Sequence, residues 1–166
     1  SIAVVGVGVD DQGKRSNGVY AFGLASTGQL RRIAKFTAHD TAARDLFGNH
    51  VAMAGAGSSV AITAPGYNAD QGAAYYFTCN ANGCRERQKL LAADGKPGDR
   101  FGSSVDLRSQ LLEVGAPEAD ATSQQAAGAT GAGYVFVRAA GTWIEQQKLG
   151  ATGAQSEPYP ALGSAV

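Results

Sequence analysis

The sequence predicts an all-β protein built from β-propeller blades of four antiparallel strands, with about three blades' worth in its 166 residues. Three observations predict it. A Phe-Gly corner recurs in "RDLFGNHVAMAGAGSSVAITAPG" and "DRFGSSVDLRSQLLEVGAP", and a reduced form, "PYPALGSAV", begins at Pro158. A Tyr-x-Phe pair recurs as Tyr20/Phe22, Tyr75/Phe77 and Tyr134/Phe136, with its tyrosines 55 and 59 residues apart. A lysine followed by an apolar residue recurs at Lys35, Lys89 and Lys148, at intervals of 54 and 59, so the two series stay in step. Repetition at about fifty residues, with four short strands per copy, is the pattern of sheets stacked radially face to face. A β-sandwich is the alternative fold.

Each copy opens with a corner strand, "FGNHVAM" or "FGSSVDL", placed 12 residues after its lysine; in the third case Leu162 follows Lys148 by 14. The second strand is an apolar run, "SVAITAPG" or "LLEVGAP", with "IAVVGVG" as its counterpart near residue 1. The third strand carries Tyr-x-Phe. The fourth alternates polar and apolar residues before the lysine, as in "WIEQQKLGA", and a Gly- or Asn-rich turn such as "AAGT" or "NANG" joins it to the third. The blade parts are 1–43, 44–98 and 99–161, with 162–166 starting a further blade.

"DRFGSSVDLRSQLLEVGAP", followed by "GAGYVFVRAAGTWIEQQKL", resembles an FG-GAP repeat, the blade of integrin alpha-chain heads and of many bacterial surface and secreted proteins. The resemblance is strongest at 99–149, good at 44–92 and partial at 1–38. It implies a seven-bladed propeller serving adhesion or ligand recognition, and an extracellular or cell-surface location. Integrin blades often hold calcium in an Asp-x-Asp-x-Asp loop between the first and second strands. Here those loops read "AMAGAGSS" and "DLRSQ", with Asp106 the only carboxylate, against the six to eight oxygens a calcium ion collects. No cofactor is expected by that route.

Three blades cannot close a ring, and an open stack leaves sheet faces to be covered. The covering polypeptide is either neighbouring blades of a longer chain or other copies of this one, joined head to tail into a ring or filament. The first is preferred, because the repeat normally comes as one long chain.

Composition narrows the partners. Fourteen Lys and Arg balance fourteen Asp and Glu, and charged residues are only 17%. No electrostatic footprint for nucleic acid or anionic lipid is present, and no apolar run approaches the roughly 20 residues of a membrane span. Cys79 and Cys84 flank the "NANG" tip, where a disulfide would fit across a hairpin neck in an oxidising compartment; two reduced thiols in a cytosolic hairpin are the alternative.

Candidate ligand-binding residues lie in the loop after each second strand: Asp10 and Asp11, then Asn68 and Asp70, then Glu118 and Asp120. Equivalent loops of successive blades open on one face, so these groups could ring a protein or glycan ligand; as turn residues making Asx-type hydrogen bonds they need no ligand. Tyr67 and Tyr159 have no repeat partners, and so are the aromatics to inspect for glycan contact. Tyr20, Tyr75 and Tyr134 recur in phase and read as packing between blades. Trp143, after the "AAGT" turn, is expected at the outer edge of its sheet. Catalysis finds little support: His39 stands beside Asp40, but no Gly-x-Ser-x-Gly accompanies them, and His39 falls where the next copy has "ADGKPGD". His50 reads as structural. The glycines of "GVGVDDQG" lead into a strand instead of a helix, which excludes a dinucleotide loop. The long third loop, "EADATSQQAAGATGAG", is small and polar, as a flexible or O-glycosylated segment would be.

Overall fold

The computed structural model describes residues 2–9, 15–55, 58–80, 82–119, 131–150, 163 and 165. These form three antiparallel sheets in chain order. The first contains β1 (Ile2–Val9), β2 (Arg15–Leu24) and β3 (Leu30–Phe36), ordered β1-β2-β3. The second contains β4 (Val51–Ala54), β5 (Ser59–Ala64), β6 (Ala73–Asn80) and β7 (Gly83–Leu90), ordered as the chain runs. The third repeats that meander with β8 (Ser104–Leu107), β9 (Leu111–Ala116), β10 (Ala132–Ala139) and β11 (Thr142–Gly150). These are propeller blades, as the repeats predict. The first sheet starts at the second strand of the pattern, because "IAVVGVG" is the counterpart of β5 and β9.

Each strand lies where its residues direct it, with one systematic difference. The corner strands begin three or four residues after their Phe-Gly, because the corner itself is a turn: Leu46 and Arg100 have φ near +60°, and Gly48 and Gly102 near +95°. Asp45 and Asp99 fix this turn, each accepting a 2.7 Å bond at Oδ2 from the main-chain N–H three residues before it. The "AAGT" turn is a two-residue hairpin loop with both central residues at positive φ, Ala140 at 49° and Gly141 at 86°, a geometry that matches the twist of the flanking strands.

A bulge recurs in all three sheets, just before the Phe of Tyr-x-Phe: between Ala21 and Phe22, Tyr76 and Phe77, and Val135 and Phe136. Residues two apart on a strand share a face. Tyr75 and Phe77 therefore look back toward the first sheet, joining a cluster with Val19, Phe47, Val60 and Ile62. Tyr76 looks forward, joining Phe101, Leu112, Val114, Tyr134 and Trp143. Between these two apolar seams the second sheet is covered on both faces. Trp143 is 3% exposed and stacks edge-on against Tyr76 at 5.5 Å, so it lies between sheets and not at the outer edge that its place after a turn suggests. Gln88 completes the contact by pairing with the main chain of Trp143, N–H and carbonyl, both at 2.8 Å.

Candidate functional site

The loop between β5 and β6 carries Tyr67, Asn68 and Asp70, and is set by an unusual backbone. Asn68, Ala69 and Asp70 occupy the left-handed region in succession, with φ of 50°, 57° and 62°. Asn and Asp tolerate this conformation; alanine does so at a cost of about 1–2 kcal/mol. Bonds from the residues leading into the next Phe-Gly corner hold the segment. Gly98 N–H donates to Ala69 O at 3.1 Å, Arg100 N–H to Asp70 O at 2.7 Å and Phe101 N–H to Gln71 O at 3.0 Å. Asn68 Nδ2 donates to Gln71 Oε1 at 2.7 Å, while Gln71 Nε2 reaches Gly95 O at 2.8 Å. The loop is thus a rigid rim that leaves Asn68 and Asp70 exposed. Relieving the alanine is expected to stabilise the protein: Ala69→Gly should raise unfolding free energy by about 0.5–1 kcal/mol in a urea titration.

Tyr67 is placed differently from the other two. Its ring lies under Lys89, whose Nζ is 3.3 Å from the centroid, and its hydroxyl is 3.5 Å from Asp40 Oδ2. It therefore packs against a cluster at the sheet seam. Glu118, in the equivalent loop of the third sheet, is exposed. Asp10, Asp11, Asp120 and Tyr159 lie outside the described residues. Asp106 pairs with Arg108 at 3.1 Å, and among the described residues no three His, Cys, Asp or Glu side chains converge as metal ligands would.

The cluster under Tyr67 is one that sequence reading missed. Asp40, from the loop after β3, accepts from Tyr75 Oη at 2.9 Å and pairs with Lys89 Nζ at 2.7 Å. One copy later Asp94 does the same with Tyr134 at 2.9 Å and Lys148 at 2.7 Å. A second tie runs the other way: Glu86 accepts from His39 N–H at 3.1 Å, and Glu145 from Ala93 N–H at 2.9 Å. The repeated element is the main-chain N–H, so the His39 ring, 70% exposed with Nδ1 on Glu86 at 2.8 Å, is an addition at one seam. Asp40 thus serves the tyrosine and lysine of the following sheet. His50 is exposed, with Nδ1 against Asn49 at 2.8 Å.

Burial alone would raise the Asp40 and Asp94 carboxyls, but the lysine ammonium and tyrosine hydroxyl on each outweigh it and hold both below the ordinary 3.8. Burial and the adjoining carboxylate push the Tyr75 and Tyr134 hydroxyls well above 10.0. Burial would lower Lys89, yet its bond to Asp40 takes it above 10.5. The depressed carboxyls contribute stability above pH about 4, lost as pH falls through their lower folded-state values. The raised Tyr and Lys groups contribute stability below pH about 10, lost as pH rises through their higher folded-state values. Stability should therefore be flat from about pH 5 to 9 and fall on both sides. Asp40→Asn should cost about 1–2 kcal/mol at pH 7 and make the acid limb shallower, read by denaturant titration at each pH.

The Cys79–Cys84 disulfide is formed, across a non-tip pair of the β6–β7 ladder with Cα atoms 4.0 Å apart. None of the curated proteins compared with the chain matches it. The FG-GAP repeat family matches residues 30–77 and 84–136, more than half of the chain. Each match runs from the fourth strand of one sheet, across the loop aspartate and the Phe-Gly corner, to the Tyr-x-Phe strand of the next. It thereby spans one seam, with the aspartate and the tyrosine that close it. The chain belongs to the FG-GAP repeat family.

Proposed function

We propose that the protein is a non-enzymatic recognition or adhesion module, extracellular or at the cell surface, that binds protein or carbohydrate through the loops following the second strands. FG-GAP repeats are found in integrin-like adhesion and recognition modules, and the disulfide suits an oxidising compartment. The observation that carries the reading is the left-handed Asn68–Asp70 rim. Non-glycine residues held in a strained conformation by a rigid frame, with polar groups exposed, are a recurring feature of binding loops. Asn68 and Asp70 lie on this rim, Glu118 is exposed in the equivalent loop of the third sheet, and Asp10, Asp11 and Asp120 belong to the corresponding loops by sequence; Tyr67, next to the rim in the chain, packs on Lys89.

The test is binding of the labelled chain to an array of immobilised glycans and extracellular-matrix proteins. The expected result is a set of bound targets lost on Asn68→Ala, Asp70→Ala and Glu118→Ala combined. If no target is bound, or if none of the bound targets is lost on those three substitutions, the reading is overturned.

A second reading, a structural subunit that assembles head to tail, is favoured by one detail. Lys35 lies 5.4 Å over Tyr20 much as Lys148 lies 5.3 Å over Tyr134, yet among the described residues no carboxylate reaches this first pair. An aspartate from another copy would complete it. Sedimentation over a range of concentrations separates the two: multimers that grow with concentration and dissolve on Lys35→Ala support assembly, whereas a concentration-independent mass supports the recognition module.

A further inference from the structure

The outer end of the β6–β7 hairpin forms a cleft of about 400 Å3, and its polar groups are oriented alike. The ladder sets Arg85 opposite Thr78 and Gly83 opposite Asn80, and directly paired residues share a face. Arg87 is the extra residue of the bulge and turns to that same face, where its Nε donates to Thr78 Oγ1 at 2.7 Å. This bond fixes the guanidinium plane and leaves both terminal amino groups to the cleft. Asn82 N–H occupies Asn80 Oδ1 at 2.9 Å, so Asn80 offers its amide NH2. Gly83, at φ +131°, places no side chain opposite Asn80, and a Cβ built there meets nothing within 4 Å; the cleft is open on that side. On the reverse face the disulfide pins the ladder between the two pairs.

Arg87 and Asn80 therefore present donors held in place by their own hydrogen bonds, the exposed Arg85 lines the same cleft, and among the described residues neither arginine is paired with a carboxylate. We propose that this cleft binds an acidic sugar residue of a glycan, its carboxylate or sulfate seated between Arg85 and Arg87. Forked guanidinium groups match such oxyanions through paired N–H bonds, and the exposed Asn82 amide matches sugar hydroxyls. A protein partner is disfavoured because its hot spots need an apolar anchor pocket, which Thr78 and the Asn and Arg side chains do not form. The zero net charge fits recognition of one anionic group at contact range instead of long-range capture of a polyanion. The cleft lies at the far end of β6 from the Asn68–Asp70 loop, eight residues or about 25 Å away, so it stands or falls independently of that loop.

The experiment follows backbone amide shifts of the intact chain while titrating four probes: a uronate tetrasaccharide, a sulfated tetrasaccharide, an uncharged tetrasaccharide and a tetraglutamate peptide. Shifts confined to residues 78–87 with an acidic saccharide are expected, and whichever acidic probe binds tells carboxylate from sulfate. Affinity should fall at least tenfold in Arg85→Gln/Arg87→Gln. It should be unchanged in Arg31→Gln/Arg32→Gln, which removes equal charge from β3. The proposal is overturned if neither acidic saccharide moves these amides, if the uncharged one binds equally, if tetraglutamate binds more tightly, or if the β3 variant loses as much.

Discussion

Replacing Phe101 with alanine is expected to lower the unfolding free energy by about 3–5 kcal/mol, because the ring is the keystone of a whole seam. Phe101 is fully buried, edge-on to Tyr134 at 5.3 Å and to Phe136 at 6.0 Å, and belongs to the cluster that joins the second sheet to the third. Truncation leaves a cavity walled by the Tyr134 and Phe136 rings of β10 and by the Gly72 bridge, which cannot collapse into it without breaking ladder bonds. Against a total stability of about 5–15 kcal/mol, that loss moves the melting temperature down by about 10 °C. Phe47, fully buried against Tyr75 at 5.5 Å and Phe77 at 6.1 Å, should respond alike, since it occupies the same place one seam earlier. Urea titration reads both; a loss under about 1 kcal/mol at either site would mean that the corner ring does not fasten the sheets.

The second large effect is expected at Gly72, where Gly72→Ala should cost about 3 kcal/mol or more. Gly72 has φ +89°, and forms the isolated parallel bridge to Phe101 that ties the loop of one copy to the corner of the next. A Cβ there would run into the main-chain N, C and O of Phe101, so the two segments must part. Conformational strain and the broken bridge act together. The contrast with Ala69→Gly, three residues earlier and opposite in sign, makes the pair diagnostic: both residues sit at positive φ, yet Ala69 is exposed whereas a Cβ at Gly72 meets the Phe101 main chain. Equal and small effects at the two positions would show that the loop is not clamped as described.

Much of this architecture was legible because strands and corners are local. Tyr-x-Phe, the Phe-Gly turn and the alternating fourth strand each announce themselves within ten residues, and the intervals then line them up. Gly163, with φ +86°, lies against Gly115 and Ala132 as Gly102 lies against Thr63 and Ala73. The seam ties were not legible, because they join residues of successive copies. Asp40 was read with its neighbour His39, whereas its true partners are Tyr75 and Lys89, 35 and 49 residues away. A signal was present: Asp40 and Asp94 each stand five residues after the repeated lysine. Trp143 was misplaced for the same reason, since a turn-proximal residue looks peripheral until the preceding sheet supplies Tyr76 to cover it. Tyr67, selected because no other copy has it, packs on the repeated Lys89.

The account rests on successive sheets meeting face to face, and Trp143, the single tryptophan, reports on that contact without ambiguity. A nuclear Overhauser spectrum should show strong cross-peaks from its indole protons to the Tyr76 ring, 67 residues away in sequence, with Gln88 side-chain amide protons close to the Trp143 main chain. An indole that contacts only β10 and β11 of its own sheet, with no signal to Tyr76, would contradict the stacked-blade arrangement.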